Sequence, residues 1–348
     1  MELREDADLA LRSAPPDLSP EGAEALVQAR YGITATARRV ASERDTNFHI
    51  RSDRGEFVLK LANPTEAFQV TDFQTQALLH LENAAPDLCV PKVVVPLDGP
   101  VMFTTDLPDG RQSTTRMLTW VQGTPMEGVA VTAPLRRDLG MRQGQLARAL
   151  STFAHPEDEH DLLWDMQRAA RLRGMIPHLP DPDLRDFATR TIDDFDARIG
   201  PALARLRQQV VHNDLNPHNI VVADGRISGI LDFGDMVRTA LIADVAVAGA
   251  YLVLDGESPA DTIGDLIEGY AREMPLQDAE IAVLPDLLVL RMVSSLIISN
   301  WRAARYPENA AYILRNGAAC LRGIRAIESL GRQSLAHTFR RRSEGTMS

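Results

Sequence analysis

Apolar and polar residues alternate most clearly between Thr46 and Ala62. "TNFHIRS" and "EFVLKLA" are β-rich runs separated by "DRG", with Phe57, Leu59 and Leu61 alternating against Val58, Lys60 and Ala62. This pattern predicts a hairpin whose leucine face turns away from Lys60. Just upstream, "SPEGAEALVQARYG" carries a Ser19 cap, Pro20 in the first turn and Gly32 as a stop, the signature of a short helix. Apolar residues recur at helical spacing from Gln69 to Asn83, and "VMFTTDL" with "STTRMLTWV" around "PDG" forms a second hairpin. After Gly123 the texture becomes helical, broken by one strand-turn-strand between Val210 and Asp235 and by Pro-rich turns such as "HLPDPD". The expectation is an α+β chain of two lobes: a tail over 1–19, a sheet-plus-helix lobe over 20–122, a mostly helical lobe over 123–335 and a solvated tail over 336–348.

A length of 348 residues exceeds what one core usually spans, which agrees with two lobes. With 45% hydrophobic and 24% charged residues the composition is that of a soluble globular protein. A net charge of -11 argues against a nucleic-acid partner. Two distant cysteines, Cys89 and Cys320, fit neither a disulfide framework nor a zinc site and point to a reducing compartment. The polar amino terminus lacks a secretory pattern, and no uninterrupted apolar run reaches the roughly 18 residues of a membrane span. A cytoplasmic protein without membrane partners is the expectation.

The chemistry concentrates in "VVHNDLNPHNIVVADGRISGILDFGD". Asp224-Gly225 is a hairpin turn, which sets Asn219 opposite Ile230 and brings Asp232 to the same face of the open end. An amide and a carboxylate converging there suit Mg²⁺ shared with nucleotide phosphates better than a closed metal cage. Asp214, in the loop entering the hairpin, is placed to accept a proton from, or to orient, a hydroxyl attacking a terminal phosphate.

The pattern H-x-D-x-x-x-x-N followed by "DFGD" resembles the catalytic and metal loops of the protein-kinase-like fold. Its wording, together with "SERDTNFHI", "FVLKLANP", "DFQTQALLHL", "LLWDM", "ADVAVA" and "LIISNWRAARYPENAAYIL", resembles the aminoglycoside phosphotransferase family and, within it, the hydroxylysine kinase-like branch. The resemblance runs from about Pro20 to Gly331. It implies a small-molecule kinase that uses Mg²⁺ and ATP or GTP to phosphorylate an amino-alcohol or a hydroxy amino acid. Other acceptors of the family are homoserine, choline or an aminoglycoside, and a non-catalytic nucleotide-binding module is the reading from another class.

By the resemblance, Asp214 is catalytic, Asn219 and Asp232 hold the metal, and Lys60 meets the α/β-phosphates. The helix acid that pairs with Lys60 falls on Asp72, with Glu66 as the second choice. Ser42, Thr46 or Asn47 of the glycine-free loop "ASERDTN" would cover phosphates, while Val58, the Thr119 carbonyl and the Val121 amide would border a purine. His212 and Asp244 would brace the catalytic loop. Asp235 either touches substrate or metal-bound groups, or caps the next turn. Arg291, Ser295, Ser299 and Arg302 form one polar stripe on an otherwise apolar helix. Arg291 there either meets an acceptor carboxylate or makes an internal ion pair.

Overall fold

The structure, a computed structural model, describes residues 13–42, 44–254 and 258–345. Its smaller lobe follows the predicted elements. Helix α1 (Pro20–Tyr31) starts where the Ser19 side chain accepts the Gly22 N–H and stops at left-handed Gly32. Strands β1 (Thr36–Val40), β2 (Thr46–Ser52) and β3 (Gly55–Leu61) precede helix α2 (Phe68–Ala84), and β4 (Phe103–Asp106) and β5 (Gln112–Thr119) follow it. They form one antiparallel sheet in the order β1-β2-β3-β5-β4. One face buries Phe48, Ile50, Leu59, Leu61 and Met117 against Ala23, Val27 and Tyr31 of α1. The other carries Lys60 opposite Arg116 in the β3–β5 register and turns towards α2 and the larger lobe.

Ahead of α1, Arg111 donates to the Ala14 and Pro15 carbonyls, and Thr46 Oγ1 donates to the Pro16 carbonyl. Residues 14–16 are therefore tied to the sheet, where a loose tail was expected; the tail's first twelve residues lie outside the described residues.

The larger lobe is helical around two small ribbons. Strand β6 (Thr124–Pro125) joins β8 (Ile220–Ala223) and β9 (Arg226–Ile230), while β7 (Gln208–Val211) pairs with β10 (Val237–Ala240). The longer α-helices are α3 (Ala133–Leu150), α4 (Pro182–Asp194), α5 (Leu241–Val253), α6 (Pro259–Ala271), α7 (Asp278–Arg305), α8 (Gly317–Leu330) and α9 (Arg332–Glu344). At the centre lies α7, apolar nearly all round and buried along most of its length. By length and composition alone it would suffice to cross a bilayer, but Asp286 and Arg291 interrupt it and here it is the core that α5, α8 and α9 cover.

The solvated tail expected over 336–348 is instead mostly helix, apart from residues 346–348, which lie outside the described residues. Leu335 and Phe339 recur four residues apart on α9 and are buried at 1% and 0% exposure, a pairing that the run of arginines beside it masks.

Helices α3 and α6 approach so closely that glycine is required at their crossing. A Cβ on Gly140 would lie 2.0 Å from the Leu266 carbonyl oxygen, and one on Gly269 would lie 1.9 Å from that of Arg137. The crossing is also locked by Arg136, which donates from Nε and Nη2 to Asp265. Gly269→Ala should therefore force the helices apart and cost about 1–3 kcal/mol, read as a lower urea midpoint with unchanged slope. An unchanged midpoint would show that the crossing is not constrained in this way.

Candidate active site

The β8–β9 hairpin presents the site, but its register differs from the expectation. Ala223 faces Arg226 and Val222 faces Ile227, as the turn predicts; a bulge between Val221 and Val222 then shifts the pairing so that Ile220 faces Ile230. Asn219 is opposite Leu231, whose N–H reaches the Asn219 carbonyl at 2.7 Å. The bulge breaks the alternation that was to bring Asn219 and Asp232 to one face. A left-handed turn at Asp232 (φ 58°) aims its carboxylate instead.

Asn213 is a second left-handed residue (φ 64°). Asparagine tolerates this conformation better than most side chains. Its N–H donates to Asp244 Oδ1 at 2.7 Å, and Gln143 Nε2 donates to Asp244 Oδ2 at 2.9 Å. His212 is fully buried, with Nε2 2.9 Å from the Leu231 carbonyl and its ring edge-on to Phe233. Burial holds its pKa below the usual value, so the ring is neutral. His212 and Asp244 thus shape the loop from beneath.

Asp214 lies at the centre of the loop. Asn219 Nδ2 donates to its carbonyl at 3.0 Å and to its Oδ2 at 2.8 Å, while Asn216 Nδ2 donates to the same Oδ2 at 2.9 Å. Burial, followed by the neighbouring Asp235, raises the Asp214 pKa to about 7, against the opposing pull of Arg291. Asp232 behaves in the opposite way. Lys60 Nζ lies 3.5 Å from its Oδ1 and is the main reason its pKa falls below the usual carboxylate range.

Lys60 is not paired with either acid that was expected. Asp72 contacts His155 at 3.2 Å and accepts from Gln76, one turn further along the exposed side of α2. Glu66 accepts from Thr71 and Gln74. The polar side chain that α2 turns to the sheet is Gln74, and the cation that secures it is Arg116, buried at 4% exposure. Arg116 donates to Gln74 Oε1 at 2.5 Å, to the Thr71 carbonyl and to Thr75 Oγ1. A lone arginine alternating with Leu118 on an apolar strand face was the signal for this anchor, and reading the sequence missed it.

Two cavities meet at Asp214. One, of about 130 Å³, is bordered by Ser42, Arg44, Asp45, Lys60, Glu66, Gln74, Asp214, Asp232, Gly234 and Asp235. The other, of about 190 Å³, is bordered by Trp164, Asp214, Asn216, Asp235, Tyr251, Arg291, Ser295, Ser299, Arg302, Tyr312, Arg315 and Asn316, among others. Asp214 and Asp235 belong to both. Arg291 borders this second cavity and also makes internal contacts: its guanidinium lies 4.8 Å over the Trp164 ring, and the acid it meets is Asp214, at 3.9 Å. Ser295 Oγ donates back to the Arg291 carbonyl at 3.0 Å. Asp235 faces Arg44 Nη2 at 3.6 Å, a cleft contact in addition to its place at the end of a short helical turn.

Of the residues expected around a base, Val58 is half-buried opposite Leu118. The Trp120 N–H donates to the Glu56 carbonyl at 3.0 Å, so the planar peptide points the Thr119 carbonyl away from β3. The Val121 side chain packs on Gly229, where a Cβ would come within 2.3 Å. Asn47 faces Lys60 across β2–β3, and its Oδ1 is buried without a hydrogen-bond partner. Thr46 is spent on the Pro16 carbonyl, which removes it from the phosphate-covering set, while Ser42 remains at the cavity wall.

The model of the phosphotransferase enzyme family matches residues 36–279, well over half of the chain. The chain belongs to this family. It is 27% identical to the hydroxylysine kinase of Danio rerio over 346 residues, covering 94% of this chain and 96% of that protein. Among solved structures, the microcompartment-associated aminopropanol kinase superposes with a TM-score of 0.64 at 17% identity, over 89% of this chain and 97% of its own. The amicoumacin kinase in complex with AMP-PNP, Ca²⁺ and Ami superposes with a TM-score of 0.63 at 16% identity, over 82% and 87%. The fold is protein-kinase-like, with a small sheet lobe and a larger helical lobe. The protein is a small-molecule kinase, a phosphotransferase with an alcohol group as acceptor.

The raised Asp214 pKa sets a pH dependence for the metal-free protein. The folded state favours protonated Asp214, so this stabilisation is complete below the unfolded value near 4 and is lost as pH rises through about 7. Asp214→Asn removes the penalty. Chemical denaturation in chelator should show the variant gaining about 2 kcal/mol on wild type between pH 5 and pH 8. A constant difference across that range would mean that Asp214 ionises freely.

Proposed function

We propose that the protein transfers the γ-phosphate of ATP or GTP, bound with Mg²⁺ in the cavity beneath Lys60, to the hydroxyl of a hydroxy amino acid held beside Arg291. The observation that carries this reading is the position of Asp214, whose carboxylate borders both cavities. A hydroxyl in the larger cavity can hydrogen-bond to Asp214 while facing a phosphate in the smaller one. Asp214 would then orient the hydroxyl and receive its proton, while Lys60 neutralises phosphate charge.

The donor set suits Mg²⁺. Asp232 offers a carboxylate now balanced by Lys60, and Asn219, with Nδ2 committed to Asp214, retains its Oδ1 as an acceptor. No group of three or more His, Cys, Asp or Glu among the described residues forms a metal cage, and Mg²⁺ shared with phosphates needs none. When bound, the metal would offset the charge of the phosphates. The divalent ion and AMP-PNP named for the amicoumacin kinase support a nucleotide donor with a divalent cation.

A hydroxy amino acid suits a cavity bordered by Arg291, Arg302 and Arg315 as well as by Asp235, because such an acceptor carries both a carboxylate and an ammonium. The name of the Danio rerio relative supports hydroxylysine as the first acceptor to test.

Asp214→Asn should lower kcat by at least a hundredfold while Mg·AMP-PNP still binds within a fewfold of wild type by calorimetry. Near-wild-type turnover would remove Asp214 from the mechanism. Asp232→Ala should abolish Mg²⁺-dependent nucleotide binding, and unchanged affinity would move the metal elsewhere. In a panel run with ATP and GTP, hydroxy amino acids should exceed the matching carboxylate-free amino-alcohols in kcat/KM by about tenfold or more. Equal values would assign the arginines to structure alone.

A further inference from the structure

Arg44 has no part in the reaction as described so far, yet its guanidinium enters the cavity with Lys60, Asp214, Asp232 and Asp235. We propose that Arg44 is a phosphate clamp: it leaves Asp235 when the nucleotide binds and grips the terminal phosphate, so that the site distinguishes a nucleoside triphosphate from a diphosphate. The inference rests on the reading of this cavity as the nucleotide site.

The tip between β1 and β2 lacks glycine, and Arg44 is the one cation in "ASERDT". Its backbone is fixed. Buried Asn63 donates from Nδ2 to the Arg44 carbonyl at 3.0 Å and from its own N–H to Asp45 Oδ1 at 3.1 Å. The side chain is held less firmly. It crosses the cleft from the small lobe to Asp235 at 3.6 Å, beyond hydrogen-bonding distance, much as Lys60 meets Asp232 at 3.5 Å. Two cations thus rest on acids of the cleft at more than hydrogen-bonding distance, and phosphate oxygens entering it would compete for both.

Position assigns their shares. Asp235 and Asp214 border the acceptor cavity, whereas Lys60 is on β3 facing Asp232. The phosphate closest to the acceptor is the terminal one, and Arg44, already beside Asp235, is the cation next to it. A guanidinium also matches two phosphate oxygens in a way an ammonium does not.

The test is calorimetric binding of Mg·AMP-PNP and Mg·ADP to wild type, Arg44→Gln and Arg44→Lys. Arg44→Gln should weaken Mg·AMP-PNP by about 10–100-fold and Mg·ADP by less than about threefold, with Arg44→Lys in between. Equal loss for both nucleotides would make Arg44 a strut between the lobes and overturn the proposal, as would no loss for either. Should Arg44→Gln fail to fold, the Mg·AMP-PNP to Mg·ADP ratio in Arg44→Lys decides, and an unchanged ratio overturns it. Wild type that binds neither nucleotide overturns the reading of the cavity, and this inference with it.

Discussion

Three carboxylates gathered at one cleft, Asp214, Asp232 and Asp235, are the constraint on which the structure depends. Like charges facing one cleft repel, and for Asp214 and Asp235 partial burial adds to the cost. Each is answered by a cation from a different part of the chain: Asp232 by Lys60 of β3, Asp235 by Arg44 of the β1–β2 tip, and Asp214 by Arg291 of α7. Two of these pairs cross from the small lobe to the large one. The charge balance of the site therefore also joins the lobes. Burial, and after it the neighbouring Asp235, outweigh Arg291 at Asp214, whose pKa rises to about 7.

The scaffold serves this balance. Close contact of α3 and α6 through Gly140 and Gly269, and the buried α7, give the large lobe a rigid frame. On that frame Asp244 and His212 fix the loop that carries Asp214, while Arg291 presents its guanidinium over Trp164 from within the core. In the small lobe Arg116 ties α2 to β5, so Lys60 is free of any helix acid and faces the cleft. Among the described residues the acid that Lys60 meets is Asp232, a partner from the opposite lobe.

Much of the fold was legible because the signals were local. Ser19 and Gly32 bounded α1, "DRG" closed the β2–β3 hairpin, and the Asp224-Gly225 turn located β8 and β9. The site residues Asp214, Asn219, Asp232 and Lys60 were legible through the resemblance their spacing carries, and the structure gathers them around one cavity system. What escaped was set by tertiary contact. The bulge at Val221/Val222 leaves no mark in the alternation, and the burial of Arg116 depends on a helix forty residues away in sequence. Asp72 looked like a partner for Lys60 by helix position, yet it lies on the side of α2 that meets His155. The arginines beside Leu335 and Phe339 hid a packed helix behind a surface-like composition.

The central claim is that one carboxylate between two adjoining cavities lets phosphate pass directly from donor to acceptor. The stereochemistry at phosphorus tests it most directly. With a γ-phosphoryl group made chiral by oxygen isotopes and hydroxylysine as acceptor, a single in-line transfer predicts inversion of configuration in the product. Retention would mean two successive displacements through a phosphorylated enzyme group, and would contradict the role given to Asp214.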